Sequence, residues 1–348
     1  MQAVILVGGE GTRLRPLTLP MPKPMVPLVN RPFLDYQVEL IKRHGIREIV
    51  FAVSYKLERI RDFFGTGAKW GMKFHYAVEK ERLGTGGAIK NAEPFIRDRA
   101  MIFNGDVLTD LDLTAVIRAH DKAKAFTTIV LTQVPDPSHF GVVEFRRDRA
   151  ITRFIEKPKK GQTRSRWISA GTYVFERENF TMMPPACVYS VERGHFPLLL
   201  KQKKPFFAFC SGRYWMDIGT PEKYLSAHLD IIYGRFDAPF LGRPNAVHAG
   251  KKCRLSRAAR YGKPLRMGDR CRVEAGASLQ AAVLGNECHI GPGASVQNAV
   301  LWDDVKVGEG AVLNGCIIAS GCVIGPYAQV TEGTVLGRGS KVTPHSTV

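Results

Sequence analysis

The chain has 348 residues, of which 45% are apolar and 24% charged, a composition that excludes a disordered or fibrous protein. Fifty Lys and Arg against 32 Asp and Glu leave a net charge of +18, which fits either a solvated basic surface or attraction to anionic ligands. No run of about 18 apolar residues occurs, so no helical membrane span is expected, and at about 150 residues per domain the length suggests two domains. Residues 3–9 read as a buried strand. A helix follows, opened by Pro32 and closed by Gly45, with Leu34, Val38 and Ile41 on one face. Next come a strand at 48–54, a helix over Leu57–Phe64, a strand at 73–79, a helix from Thr85 to Asn91 and a strand at 100–107. This alternation predicts a Rossmann-like, mostly parallel three-layer α/β sheet, with ligands outside the carboxyl ends of its strands.

From about 126 to 218 strands dominate, interrupted by a helix near 191–202 and followed by a helix over Pro221–Tyr233. They are expected to extend the same sheet and to form a β-rich lid. Residues 234–266 lose the alternation. They mix glycine and proline with a basic run (Lys251, Lys252, Arg254, Arg257, Arg260, Lys263, Arg266) and read as a linker. From Met267 aliphatic residues recur every six positions, as in Met267, Val273 and Leu279, then Ile290 and Val296, then Val307 and Leu313. Such a hexapeptide repeat predicts a parallel β-helix. The expected division is therefore 1–233, 234–266 and 267–348.

The seven cysteines form no CxxC pair, which argues against structural zinc. The N-terminal apolar run precedes its charges, the reverse of a secretory signal, so reduced thiols in a cytoplasm are expected.

The strongest chemical signal is Gly8-Gly9-Glu10-Gly11-Thr12-Arg13, followed by Pro22-Lys23-Pro24. Glycines at the end of a first strand expose backbone N–H groups to an anion. No GK[ST] closes the loop, so it is not a P-loop, and the third glycine of the dinucleotide fingerprint is replaced by Leu14. Arg13 offers a fork and Lys23 a point charge to phosphate oxygens. Pro22 and Pro24 are expected to keep Lys23 extended and exclude helix there. Gly84-Thr85-Gly86-Gly87 reads as a glycine-rich helix start. Asp106 and Asp217 each end a strand. Either alone could be a helix cap, while a pair suits Mg²⁺, which takes one or two carboxylates and completes its shell with water and phosphates.

These stretches together resemble the sugar-nucleotide pyrophosphorylases, over essentially the whole chain. The resemblance implies a nucleotidyltransferase domain followed by a left-handed β-helix. It assigns Arg13 and Lys23 to catalysis, Leu6, Gly8, Gly9, Gly11, Thr12, Glu79, Gly84 and Thr85 to the nucleotide, and Asp106 and Asp217 to Mg²⁺. Gly141, Glu156, Lys157 and Gly171 are implied to hold the sugar phosphate, and Ser190-Val191-Glu192 to cap a helix. Within the family the likeness is greatest to members that join GTP to mannose 1-phosphate. UTP or dTTP with glucose 1-phosphate or a heptose 1-phosphate stays open, because Ser169-Ala170-Gly171 stands where the family often has Asn-Ala-Gly and Ser has the shorter reach.

A catalytically silent regulatory or assembly homologue is the competing class, and the retained cations and carboxylates argue against it. An acyltransferase role for the β-helix would need a histidine base, and only His289 and His345 follow residue 266. The β-helix is instead expected to serve oligomerisation, as a dimer, or regulation. No RNA-binding pattern of aromatics interleaved with Arg and Lys occurs, so nucleic acid is not an expected partner.

Overall fold

The computed structural model describes residues 1–348, which fall into two compact units. The first comprises Met1–Gly9 and Gln37–Trp215, the second Glu10–Tyr36 and Met216–Val348.

A nine-stranded sheet organises the first unit. Its main path runs Ile151–Glu156, Gly141–Phe145, Trp167–Phe175, Ala100–Asn104, Gln2–Leu6, Glu48–Val53, Lys73–Val78. The last four of these are parallel, and Ala3, Val4, Ile49, Val50 and Ala100 are fully buried. Near-continuous apolar runs are what a parallel sheet covered on both faces requires. The sheet is more mixed than the expected mostly parallel one. Trp167–Phe175 pairs antiparallel with Ala100–Asn104 and with Thr127–Gln133, and Gly141–Phe145 pairs antiparallel with Ile151–Glu156. The segment expected to extend the sheet and to form a lid thus supplies sheet strands, and Phe206–Cys210 joins them parallel to Thr127–Gln133.

Two helices escaped the sequence reading, Leu113–Lys122 and Arg177–Met182. The first is capped by Asp112, whose Oδ1 accepts the Ala115 N–H at 2.9 Å. Its third buried position is His120, which breaks the apolar pattern. Ser190 caps a π turn over Val191–His195 that leads into Phe196–Lys201, its Oγ accepting the Arg193 N–H at 3.1 Å, as expected of that segment.

The C-terminal part of the second unit is a parallel β-helix with three sheets of six, six and five short strands. The registers Val273↔Ile290, Ile290↔Val307 and Val307↔Ile324 advance seventeen residues per coil. Two inward rows follow the six-residue period. The third, Leu284, Leu301 and Ile318, lies only five residues beyond its predecessor and was invisible to a strict period of six. Corners turn through left-handed residues such as Gly293 (φ 65°) and Gly310 (φ 62°), a conformation glycine adopts without Cβ penalty. The stretch expected as a linker departs from that reading. Val247–His248, Arg254–Leu255 and Arg260–Tyr261 each pair with the next coil. Leu255 and Leu265 pack inward while Arg254 and Arg260 face solvent, so outward cations masked the repeat.

All seven cysteines are free, four of them buried in the β-helix, and no helix is long and apolar enough to cross a membrane.

Candidate active site

In the first unit, the carboxyl ends of the parallel strands carry the expected glycines. A Cβ on Gly105 would overlap the Leu6 carbonyl oxygen, which also accepts the Gly105 N–H at 2.9 Å. Only glycine lets the Asn104-Gly105-Asp106 turn close against the end of the first strand, and this fixes where Asp106 starts. Gly8 is equally constrained, since a Cβ there would lie 2.7 Å from Ser54 Oγ, which donates to the Gly8 carbonyl at 2.9 Å. Gly9 meets nothing within 4 Å, so its backbone is open to a ligand.

Glu79 is 7% exposed and accepts the Leu83 N–H at 3.0 Å, which holds the start of the glycine-rich segment. Burial raises its pKa, and the Leu83 N–H works against that rise. Gly84 has φ 71° and opens the helix Gly84–Ala92. The N–H groups of Gly86 and Gly87 are taken by the Tyr189 carbonyl at 2.8 and 3.1 Å. Thr85 Oγ1 donates to Glu192 Oε2 at 2.7 Å and accepts the Val191 N–H at 3.0 Å. The Thr85 side chain therefore clamps this segment to 189–192.

The residues expected at the sugar phosphate also gather in the first unit. A Cβ on Gly141 would overlap the Phe154 ring and lie 3.0 Å from Glu156 Oε2. Gly171, at φ 71°, lies against Asn104, whose side-chain atoms would approach a Cβ to 2.8–3.0 Å. Ser169 Oγ meets Tyr173 Oη at 3.2 Å and the Gly171 N–H at 3.4 Å. Burial raises the Glu156 pKa, and the neighbouring Glu192 adds to the rise while Lys157 and Arg193 oppose it. Glu192, Glu156 and Asp106 all act on the buried Tyr173 hydroxyl and help hold its pKa up after burial itself. Lys157 is exposed and sits at φ 51°, its N–H held by the Phe140 carbonyl at 3.0 Å. A left-handed non-glycine residue costs roughly 1–2 kcal/mol and marks a position fixed by its surroundings.

The second unit holds Gly11, Thr12, Arg13, Lys23 and Asp217. Thr12 and Arg13 are exposed on a short 3₁₀ turn, Thr12–Leu14, anchored by buried Leu14. Gly11 has φ 65°, and a Cβ there would lie 2.8 Å from Lys23 Cβ. Thr18 Oγ1 donates to the Gly11 carbonyl at 2.8 Å. Lys23, only 7% exposed, thus runs its stem along the glycine loop. Contrary to the extended backbone expected there, Lys23–Met25 is one 3₁₀ turn. Proline is tolerated at such a first turn because its missing N–H would have had no partner. Arg13 Nη2 and Asp217 Oδ2 border the same glycine, at 3.2 and 3.1 Å from a Cβ on Gly219. Asp217 does not cap the following helix. Thr220 does, and the Asp217 carboxylate pairs with Lys223 instead.

No group of three or more His, Cys, Asp or Glu side chains is arranged to hold a metal. Asp106 in the first unit and Asp217 in the second each offer hard oxygen donors, the donor type that Mg²⁺ takes. Sequence reasoning gave no site role to Asn104, Tyr173 and Lys223, and took Glu192 only as part of a helix cap. Asn104 Oδ1 is buried and lacks a hydrogen-bond partner, a signal that only the fold reveals.

Residues 2–233 match the nucleotidyl transferase family, and residues 244–348 match the EIF2B subunit epsilon LbH domain, the left-handed β-helix class. The chain is 40% identical over 243 residues to a mannose-1-phosphate guanylyltransferase of Mycobacterium tuberculosis, covering 69% of this chain and 67% of that protein. It is 33% identical over 246 residues to a UTP–glucose-1-phosphate uridylyltransferase of Synechocystis, covering 67% of this chain and 63% of that protein. The chain thus spans about two thirds of the length of the curated relatives it matches. Among solved structures, HddC of Yersinia pseudotuberculosis in complex with GMP-PN aligns with a TM-score of 0.57 at 32% identity, over 66% of this chain and 99% of that one. This chain belongs to the nucleotidyl transferase family, joined to a C-terminal left-handed β-helix.

Proposed function

We propose that this protein transfers a guanylyl group from GTP to mannose 1-phosphate. A phosphate oxygen of the sugar 1-phosphate attacks the α-phosphorus, the bond to the bridging oxygen of the β-phosphate breaks, and pyrophosphate leaves. The attacking phosphate is ionised at neutral pH, so no general base is needed. Two polyanions must be oriented and their repulsion offset. In this reading Arg13 and Lys23 bind the triphosphate, Leu6, Gly8, Gly9, Gly11 and Thr12 line its phosphates and ribose, and Glu79, Gly84 and Thr85 order the base-side segment. Lys157 pairs with the sugar phosphate, Glu156 accepts sugar hydroxyls, and Gly141 and Gly171 leave room for the ring. Asp106 and Asp217 would hold Mg²⁺, which would supply neutralisation of phosphate charge.

The observation that carries the reading is that both cations and both carboxylates stand in a chain 40% identical to a mannose-1-phosphate guanylyltransferase. A silent homologue has no need of a glycine loop packed on a buried Lys23. Free thiols throughout support a reducing, cytoplasmic setting, and the β-helix is assigned to assembly as a homo-oligomer.

The test is a matrix of GTP, UTP and dTTP against mannose, glucose and heptose 1-phosphates, read by pyrophosphate release with Mg²⁺. GTP with mannose 1-phosphate is expected to give the highest kcat/KM. No release with any pair would remove the enzyme reading, and preference for another pair would reassign the substrates.

A further inference from the structure

Lys23 sits on a segment that the second unit holds from behind. Its 3₁₀ turn closes with the Val26 N–H on the Lys23 carbonyl at 3.2 Å, and Pro27 begins a hairpin at once. That hairpin pairs Pro27 with Pro32 and Leu28 with Arg31, leaving Val29-Asn30 as a two-residue turn. Both turn residues have positive φ, 47° and 64°. Such a turn favours Asn and Gly, and a β-branched valine at positive φ is an outlier that surrounding structure must impose.

Four buried or partly buried hydrogen bonds impose it. Trp302 Nε1–H donates to Tyr224 Oη at 3.0 Å, and the Tyr224 hydroxyl donates to the Pro27 carbonyl. The Val29 N–H donates to His228 Nδ1 at 3.3 Å. At the tip, Asn30 Nδ2 donates to the Leu284 carbonyl at 2.7 Å. Trp302 and Leu284 belong to coils of the β-helix, while Tyr224 and His228 lie on the helix Pro221–Tyr233. The Tyr224 side chain is fully buried, so its hydroxyl has no water to substitute for either partner.

We propose that the β-helix is a positioning element for the phosphate-binding lysine: Tyr224, Trp302 and Asn30 pin the strained hairpin that fixes Lys23. This rests on the transferase reading above, which gives Lys23 its role. The β-helix then contributes to the reaction without touching substrate, and its removal would harm turnover even where the first unit remains folded.

The experiment compares Tyr224→Phe and Asn30→Gly with the full-length wild type. Asn30→Gly keeps the positive φ available and removes only the amide anchor, at an exposed site. Amide hydrogen exchange of residues 23–33 is expected to rise about tenfold in each, the scale of one lost hydrogen bond, with strand Gln2–Leu6 unchanged. In parallel, kcat should fall about tenfold while KM for mannose 1-phosphate stays within about twofold, because the loosened segment carries a transition-state cation. Either loss should be largely absent in a Lys23→Ala background. Unchanged exchange and kcat in folded Asn30→Gly would overturn the proposal. So would a drop in melting temperature with wild-type kcat in the folded fraction of Tyr224→Phe. If the wild type turns over no substrate pair, the transferase reading fails, and hydrogen exchange still decides whether these residues pin the hairpin.

Discussion

Thr85 gives its hydroxyl proton to Glu192 at 2.7 Å and receives the Val191 N–H at 3.0 Å, closing a clamp between two segments more than a hundred residues apart. With its side chain spent in this way, Thr85 can serve a nucleotide only through its backbone. Thr85→Val, which removes both hydrogen bonds, is expected to raise KM for GTP about tenfold or more, at a cost of about 1–3 kcal/mol. Thr85→Ser should restore it. Steady-state kinetics at varied GTP decide the matter, and unaltered KM in the valine variant would remove the clamp from the binding account.

Charge removal in the second unit should act on turnover rather than on folding. Lys23→Ala and Asp217→Ala are each expected to lower kcat by about 10²-fold or more, roughly 3 kcal/mol, as for other single groups that stabilise transition-state charge. Circular dichroism melting should change little for Asp217→Ala, because this partly buried carboxylate caps no helix and its partner Lys223 reaches solvent.

Lys157→Ala should separate the two substrates. Its expected effect is a KM for mannose 1-phosphate raised by about tenfold or more, with KM for GTP within about twofold, since it is assigned one phosphate of one substrate. Equal effects on both would mean that the sugar phosphate binds elsewhere.

Gly105→Ala tests the turn that starts Asp106. The added methyl group would meet the Leu6 carbonyl oxygen, a backbone atom that cannot swing aside. Overpacking of this kind costs about 1–3 kcal/mol. Denaturant midpoints should fall accordingly, and kcat should fall with them because Asp106 shifts. A wild-type midpoint would show that the turn has slack.

Acid should weaken the fold through two buried histidines. Burial pushes the His228 imidazole down to about 3 and that of His195 to about 4. Both are neutral in the native state, whereas in the unfolded chain they protonate near pH 6.5. The unfolded state therefore binds more protons below pH 6.5. Stability present above that pH is lost progressively as pH falls toward 4 for His195 and toward 3 for His228. Denaturant midpoints measured from pH 7 to 4.5 should decline, and a flat profile would contradict buried neutral imidazoles.

Much of this was legible because apolar periodicity reports burial directly. The runs at 3–6, 48–53 and 100–104 are buried on both faces, and the six-residue recurrence reports inward-facing rungs. Leu284, Leu301 and Ile318 were lost because one side of each of these three coils is a residue shorter. Arg254 and Arg260 hid the first coil because charge on the outer face resembles a linker. The site's glycines and cations could be read from local chemistry. Their supports could not, because Tyr224 and Trp302, or Gly171 and Asn104, meet only through tertiary structure and nothing near either in sequence announces its partner.

The coil of seventeen or eighteen residues also governs how this chain can change in length. Coils of seventeen and of eighteen residues both stack in register, so one extra residue is taken up at a corner, whereas a residue gained or lost inside a strand would turn its inward leucine, isoleucine or valine outward. An indel of one whole rung would leave the stacking intact. Viable length variants should therefore be corner insertions or whole rungs, and the rung that carries Trp302 should resist excision, because losing this indole would unfasten the hairpin it steadies.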